Sequence, residues 1–264
     1  MKILFIGDIV GSPGRKAIKE LVPVLVKSKK IDFVIANAEN AAGGSGITPE
    51  IAEELFGAGI DVLTSGDHIW KKKEIYELLN EDKRILRPAN YPEGSPGTGA
   101  SIVESRDGIK VGVINLLGRV FLSTIDCPFK TSQRLVEQLR KKTHIIIIDI
   151  HAEATSEKIA LGRFLDGSVT AVIGTHTHVQ TADEQILQKG TAYITDAGMT
   201  GPFDSIIGRK VDQILERFLT QMPTRFEMAT DDIRLQGVIV EIDEKTGSAL
   251  SIKRVHERLE GTAA

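Results

Sequence analysis

The sequence predicts a single α/β domain, spanning residues 1–264, in which two β-sheets are flanked by helices. Three observations predict it. Short apolar runs alternate with helix-like segments over much of the chain, which is the pattern of βαβ units and parallel pairing. Two runs in the middle flank an Asp107-Gly108 turn, which reads as a hairpin. No repeat, low-complexity tract or long linker divides the 264 residues, a length that suits one large domain.

In chain order, Ile3 to Gly7 reads as a buried strand, followed by a glycine-rich loop and a helix from about Gly14 to Lys29. Phe33 to Asn37 is a second strand. Thr48 to Gly57 is a helix, because Thr48-Pro49 supplies a cap and acids follow in the first turn. Asp61 to Thr64 is a third strand, with a helix from about Lys71 to Leu79 after it. Residues 88–99, rich in Pro and Gly, mark a loop before the hairpin of Ala100 to Glu104 and Lys110 to Asn115. A helix from about Ser132 to Lys142 leads into Thr143 to Ile150, the most apolar strand. Another, from about Ser156 to Leu165, leads into Val169 to Ile173. Further strands are expected at 184–188, 191–195, 235–242 and 249–254, the last pair joined by a turn at Glu244 to Gly247.

Composition excludes several function classes. A net charge of −3 argues against a broad basic surface for duplex nucleic acid, although a small anionic substrate remains compatible. Cys127 is the only cysteine, so neither an internal disulfide nor a thiolate metal cluster is available. The opening run MKILFIGDIV is too short for a signal peptide, and no stretch reaches the roughly 18 to 20 apolar residues of a membrane helix. The expected compartment is the cytoplasm, with no membrane partner. The sequence leaves room for a homo-oligomer.

The chemistry gathers where strands end. The first runs into Asp8, the second into Glu39-Asn40, the third into Asp67-His68, the apolar strand into His151, and the next into His176 and His178. Open α/β sheets bind ligands at the carboxyl edge of their strands. Four of the six histidines sit there, and chance would rarely place them so. Carboxylate, amide and imidazole without thiol suit manganese, iron, zinc or similar divalent ions. Seven candidate ligands are too many for one ion but suit two, about 3.5 to 4 Å apart and bridged by a carboxylate, which can hold a phosphoryl group and activate water. In Gly174-Thr175-His176-Thr177-His178, imidazoles two residues apart on an extended backbone would point the same way. The ligands are expected in loops outside the core.

Other residues carry competing readings. Asp8 alone could cap its loop. The glycines of GDIVGSPGR could cradle a phosphate at a helix N-terminus, but their spacing matches no nucleotide-binding motif; flexible backbone around Asp8 is the better reading. Arg119 is either a surface charge or a cation for a substrate phosphate. Trp70 and Phe121 read as packing residues, Lys71 to Lys73 as a solvated helix start, and His256 as part of a charged tail.

The elements GD at 7–8, NAEN at 37–40, SGDH at 65–68, the isolated His151 and GTHTH at 174–178 resemble the ordered motifs of the calcineurin-like metallophosphoesterases. With GRVF at 118–121 and YITDAGMTGP at 193–202, they are most similar to the bacterial YmdB-like branch over nearly the whole chain. The resemblance implies a four-layer αββα sandwich of two mixed sheets with a dinuclear centre. It also implies hydrolysis of phosphodiesters, with cyclic nucleotides such as 2′,3′-cyclic AMP as substrates. The cofactors it implies are two divalent ions per chain, iron or manganese before zinc. Asp8, Glu39, Asn40 and His178 would hold one ion; Glu39, Asp67, His151 and His176 would hold the other; His68 would sit beside the leaving-group oxygen. Two positions depart from the superfamily pattern. Val10 stands where a histidine usually follows the first aspartate by two residues, and the third motif reads Gly-Asp-His in place of Gly-Asn-His. A phosphomonoesterase, or a weakly active regulator that binds cyclic nucleotide or RNA ends, are the alternatives.

Overall fold

The computed structural model describes residues 1–261; residues 262–264 of the expected domain lie outside the described residues. In chain order the first elements are β1 (Lys2–Ile6), β2 (Asp8–Ile9), α1 (Gly11–Lys29), β3 (Phe33–Asn37), α2 (Pro49–Gly57) and β4 (Val62–Thr64). A short 3-10 helix (Asp67–Lys71) and α3 (Ile75–Glu81) precede β5 (Ala100–Glu104) and β6 (Lys110–Leu117). Then come α4 (Pro128–Leu139), β7 (Ile145–His151), α5 (Thr155–Phe164) and β8 (Ala171–Thr175). The last part holds β9 (Gln185–Ile186), β10 (Ala192–Ile194), β11 (Met199–Pro202), α6 (Val211–Thr220), β12 (Ile233–Ile242) and β13 (Ala249–Arg258).

One sheet runs β2-β11-β12-β1-β3-β4 with β13 beside β12; the other runs β5-β6-β7-β8-β10-β9. Both are mixed. In the first, β1, β3 and β4 are parallel while β12 is antiparallel to β1. In the second, β6, β7, β8 and β10 are parallel and β5 closes the expected hairpin.

Side-chain alternation along each strand builds the layers. Ile3 and Phe5 of β1, Phe33 and Ile35 of β3, and Ile145 and Ile147 of β7 meet in one core between the sheets. The intervening Leu4, Ile6, Val34 and Ala36 face the helices of the first sheet, among them Ile18 and Val22 of α1 and Leu55 of α2. Ile146, Ile148 and Ile150 face Val136 of α4 and Leu161 of α5. That is a four-layer αββα sandwich. Strands buried on both faces read as continuous apolar runs, which is why β7 is the most apolar segment. Each fully buried Ile or Phe stabilises the fold by about 1.5–3 kcal/mol, so a charge at Ile147 would break it from the middle.

Several boundaries differ from the sequence reading. Helix α1 begins a turn earlier, at Gly11, because Pro13 is tolerated where helical N–H groups lack partners. Pro128 likewise opens α4 ahead of Ser132. The helix expected from about Lys71 starts later, at Ile75, because residues 67–71 form the 3-10 turn, where Trp70 makes edge-on contacts with Tyr76 and Tyr91. Strand β2 is too short, and the Gly- and Pro-containing β11 too loop-like, to be read from sequence. Helix α6 has no counterpart in the sequence reading, and it leaves Leu215, Phe218 and Leu219 exposed. His256, read as part of a charged tail, lies in β13. Phe121 is 87% exposed and packs against no core. Among the described residues, no helix is long and apolar enough to cross a membrane.

Candidate metal centre

The expected ligand-bearing strand ends belong to two sheets, not one: β1, β3 and β4 are in the first, β7 and β8 in the second. Their carboxyl edges face each other across the inter-sheet layer. Along that layer the inward-facing positions change from apolar to polar as the strands end. Asn37 follows Ile35, Thr64 follows Val62, Asn115 follows Val113, Asp149 follows Ile147 and Thr175 follows Ile173, all of them buried. These groups satisfy one another, as buried polar groups must. Asp149 accepts from Thr64 Oγ1 at 2.5 Å, Thr175 Oγ1 at 2.7 Å and Asn37 Nδ2 at 3.0 Å. Asn115 Oδ1 accepts from the Ser65 amide at 3.0 Å.

On this polar floor stand the candidate ligands. His151, the last residue of β7, is fully buried, with Nε2 at 3.2 Å from Glu39 Oε2 and 3.8 Å from Asp67 Oδ1. His176 Nδ1 lies 3.0 Å from the same nitrogen. Glu39, Asp67, His151 and His176 each offer a donor atom, all within 4.8 Å of one another. Beside them, Asp8 Oδ1 is 3.7 Å from His178 Nε2. Asn40 lies between the groups, its Nδ2 at 2.9 Å from Glu39 Oε1 and 3.2 Å from His178 Nε2. For Asn40 to ligate, its amide must turn its oxygen to that side. His68 Nδ1 sits 2.8 Å from Asn40 Oδ1 and 3.3 Å from Glu39 Oε1. Thus the structure brings Asp8, Glu39, Asn40, Asp67, His68, His151, His176 and His178 into one cluster.

Asp8 and His151 are strand residues and Glu39 is equally buried, so these candidate ligands belong to the core's edge and not to loops outside it. The GTHTH segment also differs from expectation. Its backbone is not extended: β8 stops at Thr175, and His176 and His178 adopt φ values of 106° and 65°. Non-glycine residues in such conformations need a surrounding structure that holds them. Here Asp196 accepts from Thr177 N at 3.0 Å and Thr177 Oγ1 at 2.8 Å, while buried Lys158 pairs with it at 2.8 Å. The two imidazoles therefore reach different sides of the cluster through a pinned turn.

The residues fit divalent cations. Asp8 Oδ1 and Asp67 Oδ1 are buried oxygens without a hydrogen-bond partner. Such atoms are costly unless a cation takes them. At Gly66 a Cβ would come 2.1 Å from Glu39 Oε2 and 2.2 Å from His151 Cδ2, so only glycine lets the chain pass this close to the donors. Electrostatics agree. Burial raises the Asp8 carboxyl, with His178 and His151 offsetting it only in part. Burial would raise Glu39 too, but His151 and His68 hold it well below the usual carboxylate range. His151 is raised to about 10, because Glu39, Asp8 and Asp149 outweigh its burial.

The cavity over this cluster is about 390 Å³. Val10 lines it, at the position where the superfamily pattern has histidine. Arg119 does not line it: it lies exposed in the loop after β6, its amide donating to Glu157 at 3.0 Å. Two charged lining residues escaped the sequence reading. Arg209 packs its guanidinium against Gly43 and Gly44, donating to Gly44 O at 2.9 Å. Glu153 lies 3.1 Å from His176 Nε2, on the ring edge opposite the cluster. Its place two residues after His151 was an available signal; Arg209, in a loop outside every motif, gave none.

The family profile described as "YmdB-like protein" matches residues 4–255. The chain belongs to the YmdB-like family. A 2′,3′-cyclic-nucleotide 2′-phosphodiesterase from Bacillus subtilis (strain 168) is 51% identical over 255 residues, covering 97% of this chain and 96% of that protein. The crystal structure of a hypothetical protein from Thermus thermophilus matches with a TM-score of 0.91 at 41% identity, covering 98% of this chain and 99% of that one. The calcineurin-like phosphoesterase YfkN from Bacillus subtilis shares the fold at a TM-score of 0.60 and 12% identity, over 100% of this chain and 92% of that one. The αββα architecture of this YmdB-like chain is therefore that of a calcineurin-like phosphoesterase.

Asp67 can be tested directly. Asp67→Asn removes one charge from the donor set, and a unit charge at 4 Å is worth about 4 kcal/mol at an effective dielectric of 20, before desolvation offsets it. Chelator competition should show metal retention at least about tenfold weaker, with turnover at saturating metal unchanged or raised. Unchanged affinity would put Asp67 outside the coordination sphere.

Proposed function

We propose that this chain is a cytoplasmic, metal-dependent phosphodiesterase that hydrolyses 2′,3′-cyclic nucleotides such as 2′,3′-cyclic AMP, using residues 1–264 as one catalytic unit. The observation that carries this reading is the position of Glu39. Its Oε2 faces His151 at 3.2 Å while its Oε1 faces Asn40 at 2.9 Å, so one carboxylate serves both halves of the cluster. That supports two ions with Glu39 shared: Asp8, Asn40 and His178 on one side, Asp67, His151 and His176 on the other. The oxygen and imidazole donors suit iron or manganese, with zinc as the alternative. Divalent ions in such a site supply Lewis acidity and an activated water.

The chain's own groups do the rest. Arg209 in the cavity wall neutralises the equatorial phosphate oxygens. His68 stands over the cluster, where it hands a proton to the departing ribose oxygen. Its imidazole is raised above the ordinary value, chiefly by its hydrogen bond to Glu39, a shift in the direction that favours the proton-carrying form. The activity named for the Bacillus subtilis relative supports the choice of substrate.

The test pairs metal analysis with turnover of 2′,3′-cyclic AMP, bis-p-nitrophenyl phosphate and p-nitrophenyl phosphate. Chelator-treated protein should lose activity on the diesters and regain it with manganese or iron. Preference for the monoester would make the chain a phosphomonoesterase. Binding of the cyclic nucleotide without turnover would make it a regulator.

A further inference from the structure

The buried carboxylate beneath the cluster has no part in the ligand set, yet it bears on one member of it. Thr175 Oγ1 lies 2.7 Å from Asp149 Oδ1 and 2.9 Å from His151 Nδ1. A hydroxyl has one proton and two acceptor positions, whereas an ionised carboxylate can only accept. Three donors converge on Asp149, from Thr64, Thr175 and Asn37, so the proton of Thr175 points to Asp149. Its lone pair then faces the ring, and only an Nδ1–H can complete that contact. The Asn37 amide donates to Asp149 at 3.0 Å and lies 3.4 Å from Nδ1, from the Ser65 carbonyl and from Thr175 Oγ1, so at Nδ1 it is the more distant neighbour, against 2.9 Å for the Thr175 hydroxyl. In the opposite tautomer the hydroxyl would have to swing towards the ring, and Asp149 would lose a buried donor.

We propose that Asp149 is a positioning residue which, acting through the Thr175 hydroxyl, holds His151 as the Nδ1–H tautomer and so presents the Nε2 lone pair to a metal ion. Nε2 is the nitrogen that faces Glu39 Oε2 at 3.2 Å and His176 Nδ1 at 3.0 Å. Metal-binding histidines commonly have the other ring nitrogen fixed by a carboxylate or carbonyl; here a threonine hydroxyl stands between the two. The inference rests on the metal-centre reading above.

It is tested on the full chain loaded with zinc, a diamagnetic probe, with ¹⁵N-labelled histidine. Asp149→Asn puts an amide donor next to Thr175, which then turns its own proton to His151 and favours the wrong tautomer. Thr175→Val breaks the relay, and Thr175→Ser restores it. We expect chelator competition to show zinc binding weakened by about 10–100-fold in Asp149→Asn and Thr175→Val, and recovered in Thr175→Ser. Long-range ¹H–¹⁵N spectra should show the Nδ1–H pattern of His151 in the wild type and in Thr175→Ser only. If Asp149→Asn fails to fold, the valine and serine variants carry the test by themselves. Wild-type zinc affinity and ring spectrum in Thr175→Val would overturn the proposal, even with a lowered Tm, since that is what a purely structural role gives. A wild-type chain that binds no zinc would overturn the metal-centre reading, and this inference with it.

Discussion

Glu39→Gln is expected to release metal from both halves of the centre and to lower turnover of 2′,3′-cyclic AMP by at least about 10³-fold. Glu39 is held ionised and buried between His151 on one side and Asn40 and His68 on the other. An amide keeps the shape but removes the charge that both ions would share. Metal ions contribute several kcal/mol of transition-state stabilisation, and each 1.36 kcal/mol is a tenfold change in rate, so about 4 kcal/mol corresponds to three decades. His178→Ala should behave differently, because its ring reaches only the Asp8 side, at 3.7 Å. Metal content per chain, measured beside the melting curve, checks both. If Glu39→Gln kept two ions and full turnover, the shared carboxylate would be misassigned.

His68→Ala should separate substrates by their leaving groups. A nitrophenolate departs without help, whereas a ribose alkoxide needs a proton as the bond breaks. General acids typically contribute about 10²–10⁴-fold, so hydrolysis of 2′,3′-cyclic AMP should slow by that factor while bis-p-nitrophenyl phosphate changes little. The half-buried ring lies within 2.8 Å of Asn40 Oδ1 and 3.3 Å of Glu39 Oε1, at the wall of the cavity. A pure metal ligand would depress both reactions and the metal content together. Equal slowing at full metal occupancy rules out the acid role.

Much of the fold was legible because burial leaves a pattern in single segments. The alternation of β1, β3, β4, β7 and β8 with helices could be read from apolar runs, and the residue types at their ends pointed to metal chemistry. The division of those strands between two sheets was not legible. A run such as that of β7, apolar on both faces, looks the same whichever neighbour covers it. Strand β2 exists only through its pairing with β11, Asp8 with Met199 and Ile9 with Thr200, and β11 in turn pairs with the distant β12. The left-handed turn at His176 and His178 was invisible because what holds it, Asp196 and Lys158, comes from elsewhere in the chain. Asp149 could have been noticed, since it precedes His151 by two residues and so shares its face of the strand.

The distance along the chain between the groups of the centre has a kinetic consequence. The His176 amide donates to Asp8 Oδ2 at 3.1 Å across 168 positions. Contacts of such range form after local ones, later than the helices and the β5–β6 hairpin. An ion held as proposed would therefore find its donors only on a chain that has already closed both sheets. Bound there, it would slow the return to the unfolded state and leave the forward rate to the topology. On the proposed metal-dependent function, metal would then set how long a folded copy lasts, not how quickly one is made.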